Sequence, residues 1–325
     1  MDKMKKWRVR AMRRNISSYG WALLIYYTLL SVSVSIAMVV SSVLELIPEI
    51  LASGGYFDEE MVVSVVEESV SSGWGYLVAC ALGVALIWGW KGTDFFRDMW
   101  KSGEPMTAKA FFPILCVFLS GQMAFRVMAT VQEMILNQFG LSVLESMEQA
   151  TAQTNSFSMF LYLGLGAPVV EEIVFRGAIL RGLERYGKWF AVLISALLFG
   201  VFHGNLIQSP YAFLVGLVLG YVALRYNIVW AMVLHMINNL ILGDSFMRLT
   251  RWMGETAADQ LFTGLILFCT VVAVVTIIRK RGALRRFVTG EPFSWEALEA
   301  FATAPGMILL LLLMQISAVA MLFLF

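Results

Sequence analysis

Charged residues are scarce in this chain of 325 residues. Only 14% of them are Asp, Glu, Lys or Arg, whereas 59% are hydrophobic. A soluble domain has about 25% charged residues, so this composition excludes an ordinary water-soluble globular protein. The net charge of +1 says little about partners by itself, because basic and acidic residues are concentrated in different segments of the chain.

Cysteine is also rare. Cys80, Cys116 and Cys269 lie in separate apolar stretches. They show neither the C-x-x-C spacing of a redox motif nor the spacing of zinc ligands. We interpret them as small apolar core residues.

The sequence contains many long apolar segments. A membrane-spanning helix needs about 20 predominantly apolar residues. The segments that approach this requirement are residues 21–43, 74–90, 111–129, 159–180, 189–202, 211–224, 228–242, 261–278 and 307–325. We therefore predict an all-α, polytopic transmembrane bundle of nine spans, or of eight if the last apolar run lies in the membrane interface.

Basic residues fall in alternate loops of this map. The N-terminal tail and the loops after spans two, four, six and eight hold 20 of the 24 Lys and Arg. Basic loops are cytoplasmic by the positive-inside rule. The opposite loops are acidic, with Asp58, Glu59, Glu60, Glu67, Glu68, Glu145 and Glu148. The pattern predicts a cytoplasmic N-terminus, and the long first span without a small-residue cleavage site predicts a retained helix rather than a signal peptide.

Three polar clusters interrupt the apolar segments within 70 residues. They are Glu171 and Glu172 followed by Arg176, then Phe199 with His203, then His235 with Asn239. The two histidines are the only ones in the chain. Ionisable side chains at membrane depth are costly and usually functional. The clusters therefore predict one active site assembled from three helices.

Helical geometry assigns different tasks to the two adjacent glutamates. Residues four apart share a helix face, so Glu172 is expected to pair with Arg176. Adjacent residues point about 100° apart, which leaves Glu171 to face His203 and His235. A carboxylate placed in this way can take a proton from water as a general base.

Each cluster taken alone also has a structural interpretation. Glu172 and Arg176 can form a simple ion pair, and a membrane histidine can do no more than hydrogen-bond between helices. Asn239 can serve only to hold helices together. The joint pattern favours the active-site hypothesis, because all the histidine of the chain is placed beside an adjacent pair of glutamates.

The three motifs, in this order on three apolar helices, resemble the signature of the CPBP family. These are the CAAX-protease and bacteriocin-processing (Abi) intramembrane proteases, similar to type II CAAX prenyl endopeptidases. The resemblance covers about residues 161–242, and no motif position departs from it. It implies that Glu171 and His203 activate the hydrolytic water, that His235 and Asn239 hold the oxyanion, and that Glu172 and Arg176 orient the first cluster. It divides the chain into an N-terminal transmembrane region (1–158), a catalytic core (159–245) and a C-terminal transmembrane region (246–325).

Two mechanisms remain open at this stage. In the metal-dependent one, His203, His235 and a carboxylate bind Zn²⁺ with one open position. In the metal-free one, Glu171 with His203 generates the nucleophile while His235 and Asn239 donate to the oxyanion. The compact H-E-x-x-H arrangement is absent, and asparagine is a poor zinc ligand, which favours the metal-free version. The family's metalloprotease label favours the other.

The function predicted from the sequence is that of an intramembrane endopeptidase. Its expected substrate is a membrane-anchored protein or peptide, its other partner is the lipid bilayer, and no nucleic acid is expected. We expect it in a bacterial plasma membrane. One alternative is an immunity or scaffolding protein of the same family whose proteolysis is dispensable. Another is a b-type haem protein with His203 and His235 as axial ligands.

Overall fold

The computed structural model describes residues 2–56, 58–101, 103–142, 144, 156–241, 246, 249–290 and 293–324. Within these ranges the chain is helical and contains no β-strand, so the all-α prediction is confirmed. Two positions of the predicted acidic loops, Glu145 and Glu148, lie outside the described residues.

We number the helices in chain order. They are α1 (Asp2–Ala52), α2 (Glu59–Val70), α3 (Trp74–Asp98), α4 (Ala108–Leu119), α5 (Gly121–Leu136), α6 (Phe157–Tyr186), α7 (Lys188–Phe202), α8 (Gln208–Arg225), α9 (Ile228–Ile241), α10 (Glu255–Thr289), α11 (Trp295–Ala302) and α12 (Pro305–Leu324). Helix α6 is not a uniform α-helix, because two stretches of it are π-helical.

As far as their residues are described, all nine predicted apolar segments lie in helices, but the prediction of eight to nine spans is not confirmed. In the described part of the chain, six stretches are long and apolar enough to cross a membrane: Lys3–Ala52, Glu59–Asp98, Ala108–Phe139, Phe157–Tyr186, Glu255–Thr289 and Pro305–Phe323. The three remaining segments form α7, α8 and α9. Helix α7 has 15 residues, about 23 Å at 1.5 Å per residue, which is less than the roughly 30 Å of bilayer hydrocarbon.

The short helices lie at the centre of the bundle. Helix α7 packs along α8 and against α6, and α9 packs against both α6 and α8. Half of the most apolar stretch of α6 is buried, compared with 11% in α1. Many residues of α7 and α9 are buried as well. Their apolar character therefore reflects burial in protein as much as contact with lipid, and hydropathy alone does not decide whether they span the membrane.

The longer helices surround this centre. Helices α1, α3 and α12 pack together on one side, while α4, α5 and α10 pack on the other. Large apolar side chains such as Ile36, Val271 and Ile316 are exposed on this outer layer, as expected for helices that face lipid. Cys80, Cys116 and Cys269 are all free and buried, in agreement with their interpretation as core residues.

Candidate active site

Helix α6 positions the glutamate pair between two irregular turns. Glu171 and Glu172 end a short α-helical stretch, Ala167–Glu172, which is flanked by π-helical stretches Tyr162–Gly166 and Ile173–Leu180. Pro168 lacks an N–H and cannot make the usual helical bond to the turn before it, which is one physical cause of the first π stretch. Such turns are rare and occur often at functional sites.

Glu172 and Arg176 form a fully buried ion pair. Arg176 Nη1 donates to Glu172 Oε1 at 2.8 Å, and both side chains are 0% exposed. The same guanidinium donates through Nη2 to the carbonyl oxygen of Gly216 on α8 at 3.3 Å. It also lies 4.3 Å from the centre of the Phe199 ring. The pair that the spacing predicts therefore also ties α6 to α7 and α8.

His235 on α9 reaches the same carboxylate. Its Nδ1 lies 3.0 Å from Glu172 Oε1. Because that carboxylate is paired with Arg176, it accepts, and His235 Nδ1 carries the proton. On the other side of the ring, His235 Nε2 lies 3.7 Å from Glu171 Oε2. The imidazole thus stands between the two glutamates, which the sequence predicted only for Glu171.

His203 directly follows α7 and is held by its own helix. Its Nδ1 lies 2.8 Å from the carbonyl oxygen of Phe199, which can only accept a hydrogen bond. Nδ1 therefore carries the proton, and in the neutral ring Nε2 keeps a lone pair. The imidazole also interacts electrostatically with Glu171 and with His235.

Phe199 joins the three clusters through its ring. Its centroid lies 4.9 Å from that of His203 and 5.6 Å from that of His235, both in edge-to-face geometry. With Arg176 over the ring, one buried aromatic side chain contacts a residue from each of the three motifs. The structure therefore brings Glu171, Glu172, Arg176, His203 and His235 into one neighbourhood.

Asn239 lies one turn after His235 and belongs to a separate hydrogen-bond network. Its Nδ2 donates to the carbonyl oxygen of Leu163 on α6 at 2.9 Å, and its Oδ1 accepts from Asn238 Nδ2 at 3.1 Å. Asn238 Oδ1 in turn accepts from the Tyr211 hydroxyl at 2.6 Å and from Gln122 Nε2 at 3.1 Å. One N–H of Asn239 remains outside these bonds, since the amide has two.

Sequence reasoning missed the supporting members of this network. Gln122, Tyr211 and Asn238 are polar residues in predicted spans, and that placement was the available signal. Their partners could not be predicted, because the bonds cross from one helix to another and depend on helix rotation. The acceptors at Leu163 and Gly216 are backbone carbonyl oxygens, which every residue has, so the amino-acid sequence does not indicate them.

Helices α1 and α3 complete the surroundings of Glu171. The Tyr26 hydroxyl and the Cys80 thiol both interact electrostatically with its carboxylate, as does the Tyr162 hydroxyl. The Glu171 side chain is 20% exposed, compared with 0% for Glu172. Of the two carboxylates, Glu171 is therefore the one that a water or a substrate can reach.

The donor set does not fit the zinc site of the metal-dependent alternative. Among the described residues, no three His, Cys, Asp or Glu side chains come together as metal ligands. His235 already uses Nδ1 to contact Glu172 and faces Glu171 through Nε2. Within the described part of the chain, the arrangement of His203 and His235 is thus explained by protein contacts, and we derive no step through a metal.

The segment that carries these motifs matches a known protein family. Residues 153–241 match the model of the family described as type II CAAX prenyl endopeptidase Rce1-like. The match covers about a quarter of the chain and contains all three polar clusters. It confirms the resemblance to the CAAX-protease family, which is a family of proteases. No curated protein and no solved structure matches the chain.

Proposed function

We propose that this integral membrane protein is an intramembrane endopeptidase that hydrolyses a peptide bond of a membrane-associated protein or peptide. The observation that carries the proposal is the position of His235 between Glu172, at 3.0 Å, and Glu171, at 3.7 Å. These three residues come from two helices of the segment that matches a protease family. The catalytic core in this proposal is residues 159–245.

Glu171 is the general base of the proposed reaction. It takes a proton from a water molecule while the water oxygen attacks the carbonyl carbon of the scissile bond. The electron pair of the C=O bond moves to the oxygen, which becomes an oxyanion. The oxyanion then re-forms the C=O bond, the C–N bond breaks with its electron pair leaving on nitrogen, and Glu171 returns the proton to that nitrogen. Positioned acid–base groups of this kind contribute about 10²–10⁴-fold to a rate.

His203 assists the activation of water. Its Nδ1 proton is held by the Phe199 carbonyl oxygen, so the neutral ring keeps a lone pair on Nε2 that can accept a hydrogen bond. Its electrostatic interaction with Glu171 supports a shared task. In this proposal the proton passes to Glu171, and His203 accepts a hydrogen bond from the same water through Nε2.

His235 and Asn239 stabilise the oxyanion. Where Nε2 as well as Nδ1 carries a proton, His235 donates to Glu172 from Nδ1 and to the oxyanion from Nε2. Asn239 contributes the N–H that Leu163 does not use. Loss of one such donor costs about 10²–10³ in rate in enzymes that depend on an oxyanion hole.

Glu172 and Arg176 act by positioning. One carboxylate oxygen accepts from both Arg176 and His235, at 2.8 and 3.0 Å. This arrangement fixes the orientation of the His235 ring.

In this proposal the N-terminus is cytoplasmic and the membrane is the bacterial plasma membrane.

Substrate trapping tests the proposal directly. Membranes of cells that express the Glu171→Gln variant are compared by quantitative mass spectrometry with membranes of cells that express the wild type. The change is nearly isosteric, so the variant is expected to fold, to retain bound substrate and to accumulate at least one uncleaved membrane protein. The control is Glu49→Gln, which alters an exposed glutamate of α1 outside the site.

Identical membrane proteomes for the wild type and Glu171→Gln would contradict the proposal. That outcome, together with full biological complementation by Glu171→Gln, would instead support an immunity or scaffolding role in which proteolysis is dispensable.

A further inference from the structure

A second candidate site lies at the N-terminal end of α1. Two adjacent cavities of about 570 and 730 Å³ share Trp7, Ala11, Arg14 and Ser18 as lining residues. We call these cavities together the basic groove, because their walls carry Arg8, Arg10, Arg13, Arg14 and Arg185.

Most of this positive charge is not neutralised by the protein. Arg8 lies 3.9 Å from Glu296 on α11. Among the described residues, no carboxylate pairs with Arg10, Arg13 or Arg14, and all three are exposed. The groove therefore presents several guanidinium groups without partners from the described part of the chain.

The opposite wall of the groove is held in place. Arg185 Nη2 donates to Asn15 Oδ1, and the Tyr186 hydroxyl donates to the same oxygen at 3.2 Å. The Arg185 guanidinium also lies 5.0 Å from the centre of the Tyr186 ring. An arginine fixed in this way by neutral partners keeps its charge and its planar fork available for an anion.

The groove lies where two membrane helices enter their apolar stretches. Trp21 of α1 and Pro305, the first residue of α12, line part of it. The Ser17 hydroxyl accepts from the Gly306 N–H at 2.9 Å and joins the two helices there. Trp21 is 47% exposed, and tryptophan is enriched at the membrane interface. The groove thus opens at the level of lipid headgroups.

We propose that the basic groove binds the phosphate group of an anionic phospholipid headgroup. Arginine binds phosphate oxygens through two parallel N–H bonds, and clusters of basic residues beside a transmembrane helix attract anionic lipids. The apolar walls from Trp7 and Trp21 suit the glycerol and upper acyl region of a lipid better than a free ion. This site is separate from the proposed protease site and does not depend on it.

Native mass spectrometry of the full chain in detergent tests the proposal. Phosphatidylglycerol, phosphatidylcholine and inorganic phosphate are titrated separately. We expect the wild type to retain phosphatidylglycerol in preference to phosphatidylcholine. The triple variant Arg10→Gln, Arg13→Gln, Arg14→Gln is expected to weaken binding of phosphatidylglycerol by about tenfold or more. These side chains are exposed, so the fold should survive.

A matched variant controls for bulk charge. The triple variant Arg279→Gln, Arg281→Gln, Arg285→Gln also removes three positive charges, but from exposed positions of α10 outside the groove. We expect this variant to bind phosphatidylglycerol as the wild type does. Equal losses in both triple variants would contradict a specific site. Binding of inorganic phosphate without any preference between the two lipids would overturn the assignment to a lipid.

Discussion

At the level of single residues, the Oε1 atom of Glu172 joins two of the polar clusters of the candidate site. It accepts from Arg176 at 2.8 Å and lies 3.0 Å from His235 Nδ1, while Oε2 has no partner among the described residues. A buried charge that loses its partner is strongly destabilising, although a complete pair adds little net stability. The free energy of unfolding of variants that lack one or both partners therefore tests whether the buried pair is formed.

Removal of one partner should destabilise the protein more than removal of both. We expect Arg176→Met to lower the free energy of unfolding by about 3–5 kcal/mol, because Glu172 is then buried without its cation. The double variant Glu172→Met, Arg176→Met should recover part of that loss. Reversible unfolding in detergent measures both. Equal stability of Arg176→Met and the wild type would contradict the buried ion pair.

Arg176→Lys is the conservative comparison. Lysine keeps the charge but cannot replace both guanidinium bonds, to Glu172 and to the Gly216 carbonyl oxygen. A partial loss of activity with a smaller loss of stability is therefore expected.

The network that holds Asn239 should affect the reaction in a graded way. Asn239→Ala removes an oxyanion donor, so we expect activity to fall about 10²–10³-fold. Tyr211→Phe removes only the hydroxyl, which donates to Asn238 at 2.6 Å and accepts from Gln122 Nε2 at 2.7 Å. Gln122 keeps its bond to Asn238, so we expect kcat to fall about fivefold, equivalent to about 1 kcal/mol for the lost bond to Asn238, with little change in KM. Initial rates on a trapped substrate measure both effects.

The control for this network is Tyr221→Phe. It removes a hydroxyl from the same helix, α8, ten residues toward its other end, where the ring packs on Phe287. Unchanged kcat in Tyr211→Phe, or an equal fall in Tyr221→Phe, would show that the network does not position Asn239 for the reaction.

Sequence reasoning accounts for the contacts within each motif but not for those between motifs. The spacing of four residues predicts the contact of Glu172 with Arg176 and that of Phe199 with His203, and both are present. It does not predict that Glu172 also contacts His235. That contact depends on how α6 and α9 are rotated against each other, which helical periodicity leaves undefined.

At the level of elements, the π-helical turns of α6 are the feature that the regular helical periodicity of the sequence does not predict. The positions of the side chains were predicted with 3.6 residues per turn, whereas Ile173–Leu180 is π-helical. Hydropathy located α6 and α7 well, because their apolar runs are continuous. It does not by itself fix the number of spans, because a helix buried in protein and a helix in lipid have similar composition.

Close packing of α1 on α12 gives a prediction at this level. A Cβ atom on Gly20 would lie 2.3 Å from the backbone carbon of Gly306, so even alanine requires the helices to separate. Helices in membranes approach closely at small residues. We expect Gly20→Ala to lower stability by about 1–3 kcal/mol, in the range of overpacked cores. Thermal unfolding of the purified protein measures the change.

Gly264→Ala is the matched control for Gly20→Ala. A Cβ atom at Gly264 on α10 meets nothing within 4 Å, so its unfolding temperature should stay the same or rise slightly. A Gly20→Ala variant as stable as the wild type would show that α12 does not pack on α1 as described.

At the level of the whole molecule, the N-terminal segment, the end of α6 and the end of α10 lie at the same end of the bundle. Asn15 accepts from Arg185, and Phe287 packs on Trp189. Glu60 follows the far end of α1. The alternation of basic and acidic loops in the sequence predicted this grouping. Which end faces the cytoplasm is a prediction from the positive-inside rule.

Labelling in intact cells tests that orientation. Single cysteines are introduced at Lys188, Arg281 and Glu60 and probed with a membrane-impermeant thiol reagent. We expect labelling only at position 60. The native Cys80, Cys116 and Cys269 are buried, so the unsubstituted protein serves as the background control. Labelling at positions 188 and 281 but not at 60 would reverse the orientation.

The central claim is that Glu171 activates water for cleavage of a membrane-anchored chain. The most direct measurement is cleavage of a trapped substrate by purified protein in proteoliposomes, with wild type, Glu171→Gln and Glu49→Gln compared at equal amounts of folded protein. We predict that the wild type and Glu49→Gln cut at the same bond and that Glu171→Gln is slower by about 10²–10⁴-fold. Cleavage by Glu171→Gln at the rate of the wild type would contradict the claim.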